Sequence, residues 1–286
     1  MIPTVACFCR DKPLGAFGGL IVLVMLTMAL FAHWIAPYPY DDTVPGARMQ
    51  PPSNRFWLGG DNLGRDIFSR IVYGARVSVT VGFGAVLLGT ALATVVGITS
   101  GYFGGPYDIV VQRVVDAWQS FPFLVVILSI MAVLGPGMLN VILALGVLGA
   151  AGASRVIRGA TLSVAHNVYV EAARALGAGH LRIMLVYLLP NVAATVIVLA
   201  TIGLGAAILA ESALSFLGFG VPPPFPSWGA MLSGSALSFM YQAPWMAVWP
   251  GLAISLAVFG FNMLGDALRD VLDPRLRGAG GGALRA

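Results

Sequence analysis

Residues 77–101 read Val-Ser-Val-Thr-Val-Gly-Phe-Gly-Ala-Val-Leu-Leu-Gly-Thr-Ala-Leu-Ala-Thr-Val-Val-Gly-Ile-Thr-Ser-Gly, with no Asp, Glu, Lys, Arg or His among them. A helix crossing about 30 Å of hydrocarbon at about 1.5 Å per residue needs about 20 apolar residues, so this stretch is long enough to span a bilayer alone. Working outward, five more apolar stretches appear, at 14–36, 117–134, 139–157, 187–217 and 245–264. They predict an all-α membrane protein of about six transmembrane helices. The stretch 187–217 is longer than a span requires and contains Pro190, Gly203, Gly205 and Glu211, so it is expected to be tilted, broken or extended beyond the bilayer.

Composition agrees. Of 286 residues, 58% are hydrophobic and 10% charged, and the mean hydropathy is +0.87. A soluble chain of this length needs more charge on its surface, whereas a lipid-facing surface is built from apolar side chains without cost. The 36 glycines and 18 prolines fit closely approaching and kinked transmembrane helices. The net charge of +4 does not point to nucleic acid, because the basic residues include one lysine and form no cluster interleaved with aromatics. Stretch 14–36 follows Arg10 and Lys12 but is too long for a signal-peptide core and is expected to stay as an anchor. Cys7 and Cys9 form a lone C-x-C pair, read as ordinary cytosolic thiols.

Cytoplasmic loops retain basic residues. Placing the N-terminus inside puts Arg10, Lys12, Arg113, Arg155, Arg158, Arg174, Arg182, Arg269, Arg275, Arg277 and Arg285 inside, against Arg48, Arg55, Arg65, Arg70 and Arg76 outside. The outer loops 135–138 and 218–244 carry no charge, which supports N-in/C-in, while the first outer loop argues the other way. Its arginines are offset by Asp41, Asp42, Asp61 and Asp66, read as local ion pairs of a folded external segment. The expected organisation is a cytoplasmic tail 1–13, a first span 14–36, an extracytoplasmic segment 37–76, a core 77–266 with five spans and a cytoplasmic loop 158–186, and a cytoplasmic tail 267–286. The chain is expected in a cytoplasmic membrane, crossing it several times.

The loop 158–186 sets His166, Glu171, Arg174, His180 and Arg182 among alanine and leucine at helical spacing, which predicts an amphipathic helix pair outside the bilayer. Gly177 and Gly179 supply the turn between its halves. On composition alone it is an interfacial helix. Glu211 is the acidic residue nearest a membrane interior. Two readings are open for it: a partner for a substrate ammonium group, or an acceptor that holds the end of the fifth span through neighbours such as Ser212 and Ser215. Asp61, Arg65 and Asp66 are read as tying the external segment together. His33, His166 and His180 are scattered and make no ligand set, so no metal site is expected.

No G-x-S-x-G or H-E-x-x-H occurs, and the only lysine, Lys12, sits between Asp11 and Pro13, where it cannot complete a P-loop. The chain is therefore not expected to be an enzyme, and any ATP must be handled by another chain.

Glu171-Ala172-Ala173, then Gly177, then Leu189-Pro190, reproduce the E-A-A-x3-G-x9-I-x-L-P spacing of binding-protein-dependent ABC permeases, with Tyr187 at the isoleucine position. Residues 58–66 (Leu-Gly-Gly-Asp-Asn-Leu-Gly-Arg-Asp), Tyr73-Gly74-Ala75-Arg76, Asp116, Phe121-Pro122, residues 211–220 (Glu-Ser-Ala-Leu-Ser-Phe-Leu-Gly-Phe-Gly) and Pro226-Ser227-Trp228-Gly229 resemble the dipeptide, oligopeptide and nickel group, the C-type permease subunit of peptide importers. Gly60 stands where that group usually has threonine. The likeness runs from about residue 12 to residue 275.

The resemblance implies a coupling helix over about 171–176 seated on a separate ATPase subunit, with Glu171, Ala172, Ala173, Arg174 and Gly177 as the coupling residues. Glu171 is then a contact to the ATPase or a carboxylate that complements a helix start, and the two alanines are a small face for close docking. Two ATPases would bind ATP and magnesium. An extracytoplasmic binding protein would deliver substrate, and a homologous second permease would complete a heterodimer working by alternating access. Peptides are favoured over nickel because the spans lack a His or Cys series. An ion-coupled secondary transporter is the rival reading, with Glu211 as its one candidate relay and no clear internal repeat.

Overall fold

A computed structural model describes residues 12–272. The readings given to Cys7, Cys9, Arg10 and most of the N-terminal tail, and to Arg275, Arg277 and Arg285, fall outside the described residues. Among the described residues, regular backbone is helical except for one isolated bridge between Gly60 and Asp66.

Helix α1 (Pro13–Leu30) begins on Pro13, whose missing N–H is no loss in a first turn. A single turn, α2 (Ala32–Ile35), leads into an irregular segment. Helix α3 (Ile67–Phe103) starts well before the expected boundary at 77. The cause is Asp66, which caps the helix by accepting from the Ser69 N–H at 2.8 Å and the Ser69 hydroxyl at 2.7 Å. With 37 residues the helix is about 55 Å long, so Arg70, Tyr73 and Arg76 ride on a rigid extension of the span rather than in a loop.

The expected third span, 117–134, is not one continuous helix. Helices α4 (Gly105–Gln119) and α5 (Phe123–Leu134) meet at 86°. Pro122 disfavours helical geometry at the residue before it and breaks the run there. At 12 residues α5 is too short to cross alone, so among the described residues five helices are long and apolar enough to span, and the candidate spans number six if the bent pair is one span. Helix α6 (Met138–Ala165) continues eight residues past the expected end at 157, carrying Arg158 on the helix instead of in the loop. Helix α7 (Val168–Ala175) is the short connector, and α8 (His180–Phe216) is one continuous helix. The expected second half of the amphipathic pair is thus the first turns of α8. A π-helical turn at Ile183–Leu188 ends two residues before Pro190, widening the backbone on the turn that the proline ring abuts. Two short helices, α9 (Trp228–Leu232) and α10 (Ser235–Phe239), precede the last span, α11 (Trp245–Leu272).

Helix α3 packs lengthwise on α6 through a row of small residues at every fourth position: Ala85, Gly89, Ala93, Gly97 and Gly101, all buried. Between transmembrane helices there is no hydrophobic drive, so the contact depends on close backbone approach. A Cβ at Gly97 would lie 2.8 Å from the Ser154 carbonyl oxygen and 2.8 Å from the Ile157 Cβ, neither of which can give way without parting the helices. Gly97→Leu is therefore expected to abolish accumulation of folded chain, whereas Val95→Leu, on the exposed side of the same helix, leaves it unchanged. Size-exclusion profiles of the detergent-extracted protein distinguish the two.

The bundle has two unlike ends. At one, Lys12 pairs with Asp270, and the ends of α3 and α6 meet α7 and the start of α8. At the other, Arg76 donates to the Ala29 carbonyl at 3.0 Å, and segments 36–66 and 218–244 close over the helices.

Candidate functional site

The connector between α6 and α8 begins at Asn167, whose extended backbone turns the chain into α7. Val170 and Ala173, one turn apart, face inward at 0% and 5% exposure. Val170 joins a cluster with Tyr102, Ile157, Ala165 and Ile183. Glu171, Ala172, Arg174 and Leu176 are exposed. This corrects the expectation of a two-alanine docking face: Ala173 belongs to the chain's own core, and Ala172 alone is open to another molecule. The helix stops at Gly177, which has φ +80. The Ala178 N–H donates to the Ala173 carbonyl and the Gly177 N–H to the Arg174 carbonyl, so two end carbonyls are satisfied by a left-handed glycine cap.

Beneath α7 lies Tyr102, at the last turn of α3. Its hydroxyl is 2.9 Å from His180 Nδ1, and the Arg174 guanidinium lies 4.9 Å from its ring centre. Phe103 packs on the same histidine at 5.6 Å between ring centres.

Two ion pairs bind α4 to α6 nearby. Asp108 is gripped by Arg158 and also accepts from Ser100, whose hydroxyl receives a 3.1 Å bond from Gln112. About two turns further along α4, Asp116 pairs with Arg155, and with Arg113 at 3.5 Å. Asp108 is buried, so removing it strands the Arg158 guanidinium. Because Arg158 keeps some solvent, Asp108→Ala is expected to cost about 2 kcal/mol. Thermal unfolding of the purified protein measures this, and Asp108→Leu combined with Arg158→Met should recover part of the loss.

At the opposite end the sequence motifs converge on Glu211, which is 0% exposed. Its Oε1 accepts from Ser215 Oγ at 2.6 Å, and Oε2 faces Ser78 and Ser212 Oγ at 3.5 Å each. The Ser227 hydroxyl faces the same carboxylate. Beside it, buried Trp228 donates to the Ile71 carbonyl at 3.0 Å and fills the space over Gly74, while Gly229 lies directly on the Ser212 backbone. The carboxylate is thus occupied by the chain's own hydroxyls in this conformation. Ser227 stands in the Pro226–Gly229 motif, but neither it nor Ser78 was expected beside Glu211, since nothing about two distant serines marks them as partners of one acid.

Asp61 accepts from the Leu63 and Arg65 N–H groups at 2.8 and 2.9 Å and from Arg65 Nε at 2.6 Å. Arg70 lies 3.8 Å away. Asp66 is the cap of α3 described above. A Cβ at Gly60 would overlap the Ala47 carbonyl, so the glycine at this position goes with the tight path of 44–50 across it.

Comparison with known proteins places this architecture. The family model described as binding-protein-dependent transport system inner membrane component matches residues 93–278, and that for the N-terminal transmembrane domain of oligopeptide transport permease C matches residues 9–52. A dipeptide transport system permease protein of Alkalihalophilus pseudofirmus is 41% identical over 268 residues, covering 94% of this chain and 88% of that protein. A glutathione transport system permease protein of Pectobacterium atrosepticum is 40% identical over 260 residues, covering 91% and 86%. Among solved structures, a chain of the inward-facing MetNI methionine ABC transporter superposes with a TM-score of 0.58 at 19% identity, over 71% of this chain and 96% of that one. Matches of this extent, over a bundle whose motif residues meet in space, establish that the chain belongs to the family of inner membrane components of binding-protein-dependent transport systems.

Proposed function

We propose that this chain, a permease subunit of an ABC importer, moves dipeptides or oligopeptides from an extracytoplasmic binding protein into the cytoplasm, with α7 as the contact to a separate ATPase subunit. The observation that carries the reading is α7 itself. A short helix between two long ones, it presents Glu171 and Ala172 outward, buries Val170, and is stopped by a left-handed glycine. A span needs no such device, whereas a rigid peg for a partner does. The relatives named for dipeptide and glutathione transport support a peptide-type substrate.

The orientation we propose is N-in and C-in. Arg113, Arg155, Arg158, Arg174, Arg182 and Arg269 then lie on the cytoplasmic side with α7, and Arg48, Arg55, Arg65, Arg70 and Arg76 lie outside. In this reading a homologous second permease completes the pathway, and two ATPases bind ATP and magnesium and alternate the access of the paired spans. Docking is tested by Ala172→Cys in a background with Cys7 and Cys9 changed to serine. A short bifunctional thiol reagent is expected to join the chain to the ATPase subunit of the purified complex, and Val95→Cys, on an exposed flank within a span, is not. Equal labelling at both positions counts against the assignment.

A further inference from the structure

We propose that Tyr102 is the positioning residue through which a displacement of α7 is carried into the spans, and that Arg174 acts on it rather than on the ATPase. The inference rests on the reading of α7 as the ATPase contact. The helix is only eight residues long, joined to α6 by the extended Asn167 and to α8 by the Gly177–Gly179 turn. Such junctions let a pushed helix rotate in place. What opposes that is the side of α7 facing the bundle, where Val170 is buried and Arg174 reaches back 4.9 Å from the Tyr102 ring centre. A guanidinium over an aromatic face is attracted by the ring quadrupole. Tyr102 is 8% exposed and sits in the last turn of α3, which is packed on α6 along the row of small residues. Its hydroxyl reaches Nδ1 of His180, the first residue of α8, at 2.9 Å, while Phe103 packs on both rings, 5.6 Å from the imidazole and 5.1 Å from Tyr102 between ring centres. One side chain therefore joins three helices: α3 carries it, α7 grips its ring and α8 its hydroxyl. Arg174 is exposed, as Glu171 and Ala172 are, but it alone of the three turns its charged group onto an aromatic ring of its own chain.

The test uses the full complex in vesicles with its ATPases and binding protein, reading peptide accumulated per ATP hydrolysed. Ala172→Cys cross-linking is followed in parallel. Tyr102→Ala is expected to keep the cross-link and ATP hydrolysis while uptake per ATP falls about tenfold, and Arg174→Gln to lower it about threefold, the range of one cation–π contact and one hydrogen bond. Tyr102→Phe, which keeps the ring and loses the His180 bond, should fall between wild type and Tyr102→Ala. Arg174→Lys should restore most of the ratio. If Tyr102→Ala does not accumulate, Tyr102→Phe and Arg174→Gln decide the question. Variants that lower only the yield of protein, with an unchanged ratio, overturn the proposal. A cross-link absent even with the wild-type Tyr102 and Arg174 removes the ATPase contact and the proposal together, whereas a cross-link present with unchanged ratios removes the proposal alone.

Discussion

Gly177→Val is expected to leave the chain inserted and folded while reducing ATP-driven uptake at least about tenfold. The reason is conformational rather than steric. No heavy atom lies within 4 Å of where a Cβ would be, but φ is +80, and a β-branched residue is strained there by about 1–2 kcal/mol or more. The valine relaxes by leaving the left-handed region, which breaks the bonds from Gly177 to Arg174 and from Ala178 to Ala173 and swings the end of α7. The spans, whose packing lies elsewhere, are not disturbed. Asparagine enters the left-handed region more readily than other side chains, so uptake is predicted to rank Gly, Asn, Ala, Val. The ranking separates a backbone requirement from a size limit, under which Ala would exceed Asn.

The second large effect is expected at Glu211, and there it falls on folding. Glu211→Leu leaves the Ser78, Ser212 and Ser215 hydroxyls facing apolar surface, and a buried hydroxyl without a partner costs about 1–3 kcal/mol. Together they come to about 3–9 kcal/mol, comparable with a typical folding margin of about 5–15 kcal/mol, so the variant should be lost from the membrane or unfold at much lower temperature. Glu211→Gln keeps a carbonyl oxygen for Ser215 and is expected to cost only about 1 kcal/mol. Thermal unfolding in detergent checks both. A Glu211→Leu protein with wild-type stability and no uptake would instead mean that the carboxylate serves the passing solute.

These two sites differ in how far the sequence reveals them. Gly177 is readable because a helix end is local: the glycine, the preceding alternation and the following Leu189-Pro190 lie within one stretch. The orientation of Ala173 is less so. Two adjacent alanines project about 100° apart around a helix, and only the packing of Val170 decides which faces the core. The start of α3 at Ile67 was legible in principle, since an Asp at 66 just ahead of Ile67-Phe68 is a preferred N-cap, but the charges at Arg70 and Arg76 suggested a loop. They are tolerated on the helix because Arg70 donates to the Tyr40 carbonyl at 2.9 Å and Arg76 to that of Ala29. The break at Pro122 had a local signal in Phe121-Pro122. The 86° bend had none: α4 is paired to α6 through Asp108 and Asp116, whose arginines lie on a helix distant in sequence. The Tyr102 contacts, 78 residues apart in sequence at His180, cannot be read from one chain.

The most direct measurement is uptake of labelled dipeptide, pentapeptide and nickel into vesicles containing this chain with its partner subunits, with and without ATP and the binding protein. The account predicts accumulation of a peptide that requires both ATP and the binding protein and survives collapse of ion gradients. Accumulation that ignores ATP and disappears with the ion gradient would contradict it.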